Sequence, residues 1–334
     1  MRILITGIHG FVGSNLVEDL CGTHELYGLC SSMEAVPGVK KIFPWSALDD
    51  GSLPTVDAII HLAGIAHTSG HNVTEAEYFE VNTGLTEKIY EYFRSSGASK
   101  FIFFSSVKAA ADTLLGVLTE DMIPTPGDSY GKSKLKAENY ILSHTPSPGK
   151  NVYILRPTLI HGRGMKGNMQ QLFDLVKHFR HWPLGAYDNL RSFLSMDNLL
   201  FIMHNLLESN IESGTYNICD DSLVSTNRLI KIICEVLGRK AHIHRISPGM
   251  ISMLARIGDA LPLPLNSTRL KKLTESYIVS NSKIKAAIGI DSLPVDAVEG
   301  LYDDIYAMSG RKKPTPPPAQ NIDFQLIAIN QVNH

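Results

Sequence analysis

The segment RILITGIHGFVGSNLVEDL, residues 2–20, limits what this chain can fold into more than any other. An apolar run meets three glycines, Gly7, Gly10 and Gly13, and a helical pattern follows without a break. Glycine reaches backbone angles closed to other residues and lets the chain pass close to a ligand. A helix that starts at such a turn, here through Phe11 and Val12, aims its first amides at an anion. Three glycines by themselves also suit a tight structural turn. Their place between a strand and a helix selects a dinucleotide pyrophosphate site.

The first half of the chain continues in the same manner. Short apolar runs at 2–6, 25–30, 58–64, 100–106 and 151–157 read as buried strands, with helical patterns between most of them, notably at 74–96 and 130–143. This alternation predicts an α/β fold, a Rossmann-type doubly wound parallel sheet covered by helices on both faces. Past residue 163 helices dominate, near 166–180, 196–208, 225–237 and 248–258, with short strands such as 214–219 between them. The expected organisation is a nucleotide-binding domain over 1–163, its last strands interleaved near 190–222, and a smaller, mostly helical substrate domain over 164–310. Residues 311–334 open with the proline-rich linker RKKPTPPPAQ and end in a tail expected either to stay disordered or to dock as a short strand.

With 334 residues the chain can bury a large core. Its formal net charge of −2 gives no reason to expect nucleic acid or an anionic membrane as partner, so an anionic ligand must be held by local cations. No apolar run approaches the length of a membrane span. The first strand begins at Arg2, which leaves no room for a signal peptide, and the expected location is the cytoplasm. Cys21, Cys30, Cys219 and Cys234 form no metal-ligand spacing, and no metal site is expected.

A second segment, SYGKSKLKAENYI at 129–141, opens a helix with a tyrosine and two lysines, Lys132 and Lys134, where the macrodipole favours carboxylates. Tyr130 and Lys134 are four residues apart and so share one face. This YxxxK pair follows the glycine turn, HLAG at 61–64, Asn82 in EVNTGLTEKI, and the serines Ser105 and Ser106 that close FIFFSS. In that order the residues resemble the short-chain dehydrogenase/reductase superfamily. The resemblance implies that Ser106, Tyr130 and Lys134 are catalytic. A phenol with a pKa near ~10 is a poor base at neutral pH, and a nearby ammonium together with a cationic nicotinamide ring would bring it into range. The resemblance further implies cofactor contacts from Gly7, Gly10, Phe11, Val12 and Gly13, from Leu62, Ala63 and Gly64, and from Asn82, Ser105, Tyr130 and Lys134.

RPTLIHGRG, at 156–164, is similar to the RPxxVYGPG motif of the extended branch that acts on nucleotide sugars. This puts Pro157 at the cofactor and His161, in place of the usual tyrosine, in a packing or hydrogen-bonding role. Asn168 matches an asparagine that contacts substrate phosphate in UDP-sugar 4-epimerases. Arg191 stands where a diphosphate clamp is expected, its alternative being a surface ion pair with Asp188 or Asp197. Arg269 stands where a second such arginine is expected, without the usual R-x-G-D context. Family 4,6-dehydratases carry Asp-Glu after the catalytic threonine, whereas Val107 and Lys108 follow Ser106, which argues against dehydration.

NAD-selective enzymes of this kind end their second strand in an acid that bonds the ribose hydroxyls. Here Cys30 takes that place, followed by Ser31 and Ser32, whose hydroxyls suit a 2′-phosphate if Lys40 or Lys41 assists. NADP(H) is favoured and NAD(H) left open. The implied reaction moves hydride between nicotinamide and C4 of a UDP-hexose or UDP-HexNAc. Reduction of a 4-keto sugar is slightly preferred to 4-epimerisation through transient C4 oxidation. A simple carbonyl reductase and a non-catalytic dinucleotide-binding protein are the other readings. A homodimer through the helices near 74–96 and 130–143 is implied by the resemblance alone.

Overall fold

The computed structural model describes residues 1–66, 73–165, 167–261 and 266–313, the side chain of Asn168 excepted. Most of the proline-rich linker and the whole tail lie outside the described residues. One sheet of seven parallel strands organises the molecule: β1 (Arg2–Thr6), β2 (Glu25–Leu29), β3 (Val39–Phe43), β4 (Ala58–His61), β5 (Lys100–Phe104), β6 (Asn151–Pro157) and β7 (Gly214–Ile218). Their spatial order is β7-β6-β5-β4-β1-β2-β3. The chain builds outward from β1 to β3 and then returns to the other side of β1 with β4. The carboxyl ends of β1 and β4 therefore border the crevice in which such sheets bind ligands.

The first five helices are α1 (Phe11–Leu20), α2 (Glu75–Tyr78), α3 (Leu85–Ser95), α4 (Val107–Ala110) and α5 (Ser129–Ser143). The later ones are α6 (Asn168–His178), α7 (Met196–Glu208), α8 (Thr226–Val236), α9 (Pro248–Ala260), α10 (Ser267–Thr274), α11 (Ser282–Ile288) and α12 (Ala297–Ser309). Side chains alternate across a strand, and the core follows that alternation. Ile3 and Ile5 of β1 join Leu16 and Leu20 of α1 and Leu199 and Ile202 of α7 on one face. Leu4 joins Ile89 and Phe93 of α3 and Ala137 and Ile141 of α5 on the other. A further cluster, including Phe173, Ile233, Ala255 and Leu301, gathers α6, α8, α9 and α12 beyond the sheet. Phe11 touches this cluster and the first one, so the opening turn of α1 lies where the two meet.

Three departures from the sequence reading bear on the site. β4 ends at His61 and β5 at Phe104, so Leu62 to Gly64 and both serines leave the sheet at its carboxyl edge. The helical stretch at 74–96 is broken by a π-helical turn over Phe79–Gly84, which buries Asn82 and Thr83. Such wide turns are frequent at functional sites. β3, at the sheet edge, was not legible, because Lys40 and Lys41 are exposed and interrupt any apolar alternation.

Candidate active site

Gly7 leaves β1 with φ of 72°, and a Cβ there would lie 3.0 Å from the Ala63 nitrogen. A Cβ on Gly13 would overlap the Gly7 carbonyl. Only glycine permits this close passage of turn, helix and β4 loop. α1 starts at Gly10 with no side-chain cap and no acid in its first turn. Its first amides are thus left to an anion, and the residues fit the pyrophosphate of a dinucleotide.

Under this turn runs a buried chain of hydrogen bonds. Thr86 donates to the Asn82 carbonyl (2.7 Å), so its oxygen accepts from His61 Nε2 (3.0 Å). His61 Nδ1 is then the acceptor for the Thr6 hydroxyl (2.8 Å). Thr6 Oγ1 in turn accepts the amides of Leu62 (3.0 Å) and Ala63 (2.9 Å). Burial, with the Lys134 charge adding to it, pushes His61 down to about 3, so the ring is neutral as this chain requires. Asn82 continues the tie. Its Oδ1 accepts from the Ile65 amide (2.7 Å), and its Nδ2 donates to the Ile65 carbonyl (3.1 Å) and to Ser133 Oγ (3.0 Å). The loop after β4 is thereby fastened to α5.

Ser106 lies at the end of this cleft as the N-cap of α4, its Oγ accepting from the Lys108 amide (3.1 Å). The same hydroxyl lies within reach of the Tyr130 phenol and acts on it. Burial raises the phenol above its ordinary value and the Ser106 hydroxyl opposes that rise, while the charges of Asp128 and Tyr78 add to it. Lys134 follows Tyr130 by one turn of α5 and is buried. Its Nζ donates to the Phe104 carbonyl (2.9 Å), one of three donors it carries. Burial pushes Lys134 down to about 8, against the pull of Glu138. Gly64 lies close: a Cβ there would be 2.7 Å from Asn82 Oδ1 and 3.2 Å from Lys134 Nζ.

Residues 3–219 match the profile of the NAD dependent epimerase/dehydratase family. The chain belongs to that family. A UDP-glucose 4-epimerase of Vibrio cholerae is 30% identical over 250 residues, which cover 71% of this chain and 76% of the relative. An N-acetyl-alpha-D-glucosaminyl-diphospho-ditrans,octacis-undecaprenol 4-epimerase of Escherichia coli O157:H7 is 26% identical over 300 residues, covering 85% of this chain and 84% of the relative. Among solved structures, the Bordetella bronchiseptica enzyme WbmG in complex with NAD and UDP is similar with a TM-score of 0.71 at 20% identity, over 93% of this chain and 95% of the other. The UDP-glucuronic acid 4-epimerase from Bacillus cereus in complex with NAD gives 0.69 at 18%, over 93% and 100%. At those identities the structures show the fold alone. As an epimerase/dehydratase family member the chain is an enzyme of the extended short-chain dehydrogenase/reductase type.

Within this epimerase/dehydratase fold, several anticipated residues are placed differently from one another. The Ser105 hydroxyl donates to buried Glu138, which also pairs with Arg156 (Nε to Oε1, 2.9 Å). Its side chain is thus committed below the site. Pro157 is buried at the end of β6. Ser31 and Ser32 are exposed after β2, and Ser32 Oγ accepts from the Glu34 amide (3.3 Å). Lys40 offers them no help, because it pairs with Glu25 (2.9 Å) at the other end of β2, and Lys41 lies over the Phe43 ring at 4.6 Å. His9, in the glycine turn, does reach that loop, donating from Nε2 to the Glu34 carbonyl (3.0 Å).

Arg191 makes neither anticipated surface ion pair. It donates to the carbonyls of Glu275 (Nε, 3.1 Å) and Lys272 at the end of α10, whose first turn carries exposed Arg269. Asn168 opens α6, and its side chain lies outside the described set. His161 is a buried hydrogen-bonding residue, with Nδ1 2.6 Å from Asp304 and Nε2 3.4 Å from Asp220. Sequence reading missed Thr6, His61, Thr86 and Glu138. The one available signal was a histidine and a glutamate standing among apolar core positions.

Proposed function

We propose that the enzyme transfers hydride between a nicotinamide dinucleotide and C4 of a UDP-hexose or UDP-HexNAc, with net reduction of a 4-keto sugar as its reaction. The observation that carries this reading is that Ser106 acts on the Tyr130 phenol, with buried Lys134 one turn further along α5. Burial holds the phenol in its protonated form, which suits a proton donor to a keto oxygen. Bound along the glycine turn, the cofactor supplies the hydride. Ser106 orients the keto oxygen through its hydroxyl, and Tyr130 delivers its proton to that oxygen as C4 becomes a carbinol. Lys134 would hold the nicotinamide ribose with the donors not given to Phe104 and help restore the Tyr130 proton. Val107 and Lys108 after Ser106 supply no acid–base pair for removing water, so the keto sugar must arrive ready made.

The dinucleotide is read as NADPH because Cys30 places no carboxylate against a 2′-phosphate. Exposed Ser31 and Ser32 follow Cys30, and the His9 imidazole reaches the same loop at the Glu34 carbonyl (3.0 Å), which supports this reading. A 4-epimerase is the second reading, favoured by the Vibrio cholerae relative and by the NAD in the two solved structures. UDP-4-keto-6-deoxy-HexNAc with NADPH, followed by absorbance, separates the two. Stoichiometric NADPH loss is expected. Interconversion of UDP-Glc or UDP-GlcNAc with their C4 epimers without added cofactor, and no NADPH loss with the keto sugar, would establish the epimerase instead.

A further inference from the structure

α9 is apolar on two sides. Ile251, Ala255 and Gly258 face the core. Met250, Met253, Leu254, Ile257 and the C-cap residue Leu261 form a second stripe at helical spacing, each between 45% and 58% exposed. Among the described residues no other helix or strand exposes four large apolar side chains. A scattered exposed leucine needs no explanation, but a contiguous stripe marks a contact surface.

The charge around the stripe is mostly positive. Arg245 before the helix, Arg256 on it, and Arg269, Lys271 and Lys272 on the adjacent α10 are all exposed. Asp259 is the one carboxylate between residues 245 and 272, in a chain whose formal net charge is −2. The whole-chain charge therefore conceals a local cationic rim around an apolar face. We propose that this face of α9 and α10 docks on an anionic lipid bilayer. The stripe enters the boundary between headgroups and acyl chains while the cations meet lipid phosphates. A second copy of the chain is the poorer occupant, because a two-fold contact would set one cationic rim against the other. Docking would leave the candidate site near the membrane, since Arg191 caps the end of the same α10. The inference does not depend on the C4 chemistry, and its readout is binding alone.

The test sediments the full-length protein with phosphatidylcholine vesicles, with and without phosphatidylglycerol. Wild type is expected to bind the anionic vesicles about tenfold or more tightly than the neutral ones, and less tightly as salt rises. M253E/I257E should lose binding to both, and K271E/K272E should bind the two kinds equally. All four side chains are exposed, and M250Q/L254Q serves as a milder variant should the first unfold. Equal or absent binding of wild type to the two vesicle kinds would overturn the proposal, as would undiminished binding by the folded stripe variants. So would a wild-type dimer in free solution that M253E/I257E converts to a monomer, because the stripe would then belong to a second copy.

Discussion

Lys134 carries its charge in a place that disfavours it. Burial takes its pKa from 10.5 to about 8, so between those values the unfolded chain binds the proton and the folded one does not. Stability then rises with pH across that window, and at pH 7 the buried charge costs about 3 kcal/mol. Lys134→Met should therefore raise the thermal midpoint at pH 7, with the advantage shrinking as pH rises from about 8 to 10.5, while cofactor binding and turnover fall. A lower midpoint at pH 7 would contradict this. Tyr130→Phe should behave differently, with cofactor affinity within a few-fold of wild type and turnover down about a hundred-fold or more, as expected for a lost proton donor. Steady-state rates beside a dinucleotide titration check both parts. His161 has the opposite sign to Lys134. Burial lowers its pKa, but Asp220 and Asp304 outweigh burial and push it up from 6.5 to about 9, with Asp197 also near. Its ion pairs stabilise fully below pH 6.5, and that contribution, at most about 3 kcal/mol, is lost as pH rises through 9. The two windows overlap, so the quantity to measure is the difference between wild type and His161→Gln by denaturant titration. That difference should shrink between pH 6.5 and 9 and would be flat if the imidazole were neutral throughout.

Helix ends in this fold are closed by long cations from elsewhere in the chain. Lys100 donates to the carbonyls of Leu206, Leu207 and Ser209 after α7, and Lys150 to those of Phe93, Ser96 and Ala98 after α3. Arg191 does the same for α10. Cations there complement the helix dipole and satisfy carbonyls that have no intrahelical partner. Arg191→Ala should thus cost about 1.5–3 kcal/mol of stability, the range for a hydrogen bond to a charged group. If Arg191 also clamps the substrate diphosphate, the apparent substrate constant rises by one to two orders of magnitude while dinucleotide affinity barely changes. Melting curves, substrate kinetics and a cofactor titration on one variant separate the two roles. Equal losses for substrate and cofactor would leave Arg191 with the cap alone.

Over the whole molecule, what was legible depended on how far apart the cooperating residues lie. The glycine turn, the alternating strands and the YxxxK pair repeat at short, fixed intervals, and periodicity reveals them. The Thr6–His61–Thr86 relay joins three segments whose separation only the sheet order determines, and no spacing encodes it. The same holds for Glu138 with Arg156 and for Arg191 with α10. The π-helical turn that buries Asn82 followed from no local signal, because its residues also suit an α-helix. Net charge is silent on arrangement in the same way, since −2 for the chain does not report the exposed cations near α9 and on α10. Hydride transfer at C4 is open to isotope tracing. UDP-4-keto-6-deoxy-HexNAc is incubated with nicotinamide dinucleotide phosphate deuterated on the reduced ring, and the product is read by NMR. One deuterium is expected on C4 of the sugar, appearing about a hundred-fold or more slowly when Tyr130→Phe replaces the wild type. Deuterium on another carbon, or a reduced sugar carrying none from either face of the labelled ring, would contradict hydride transfer at C4.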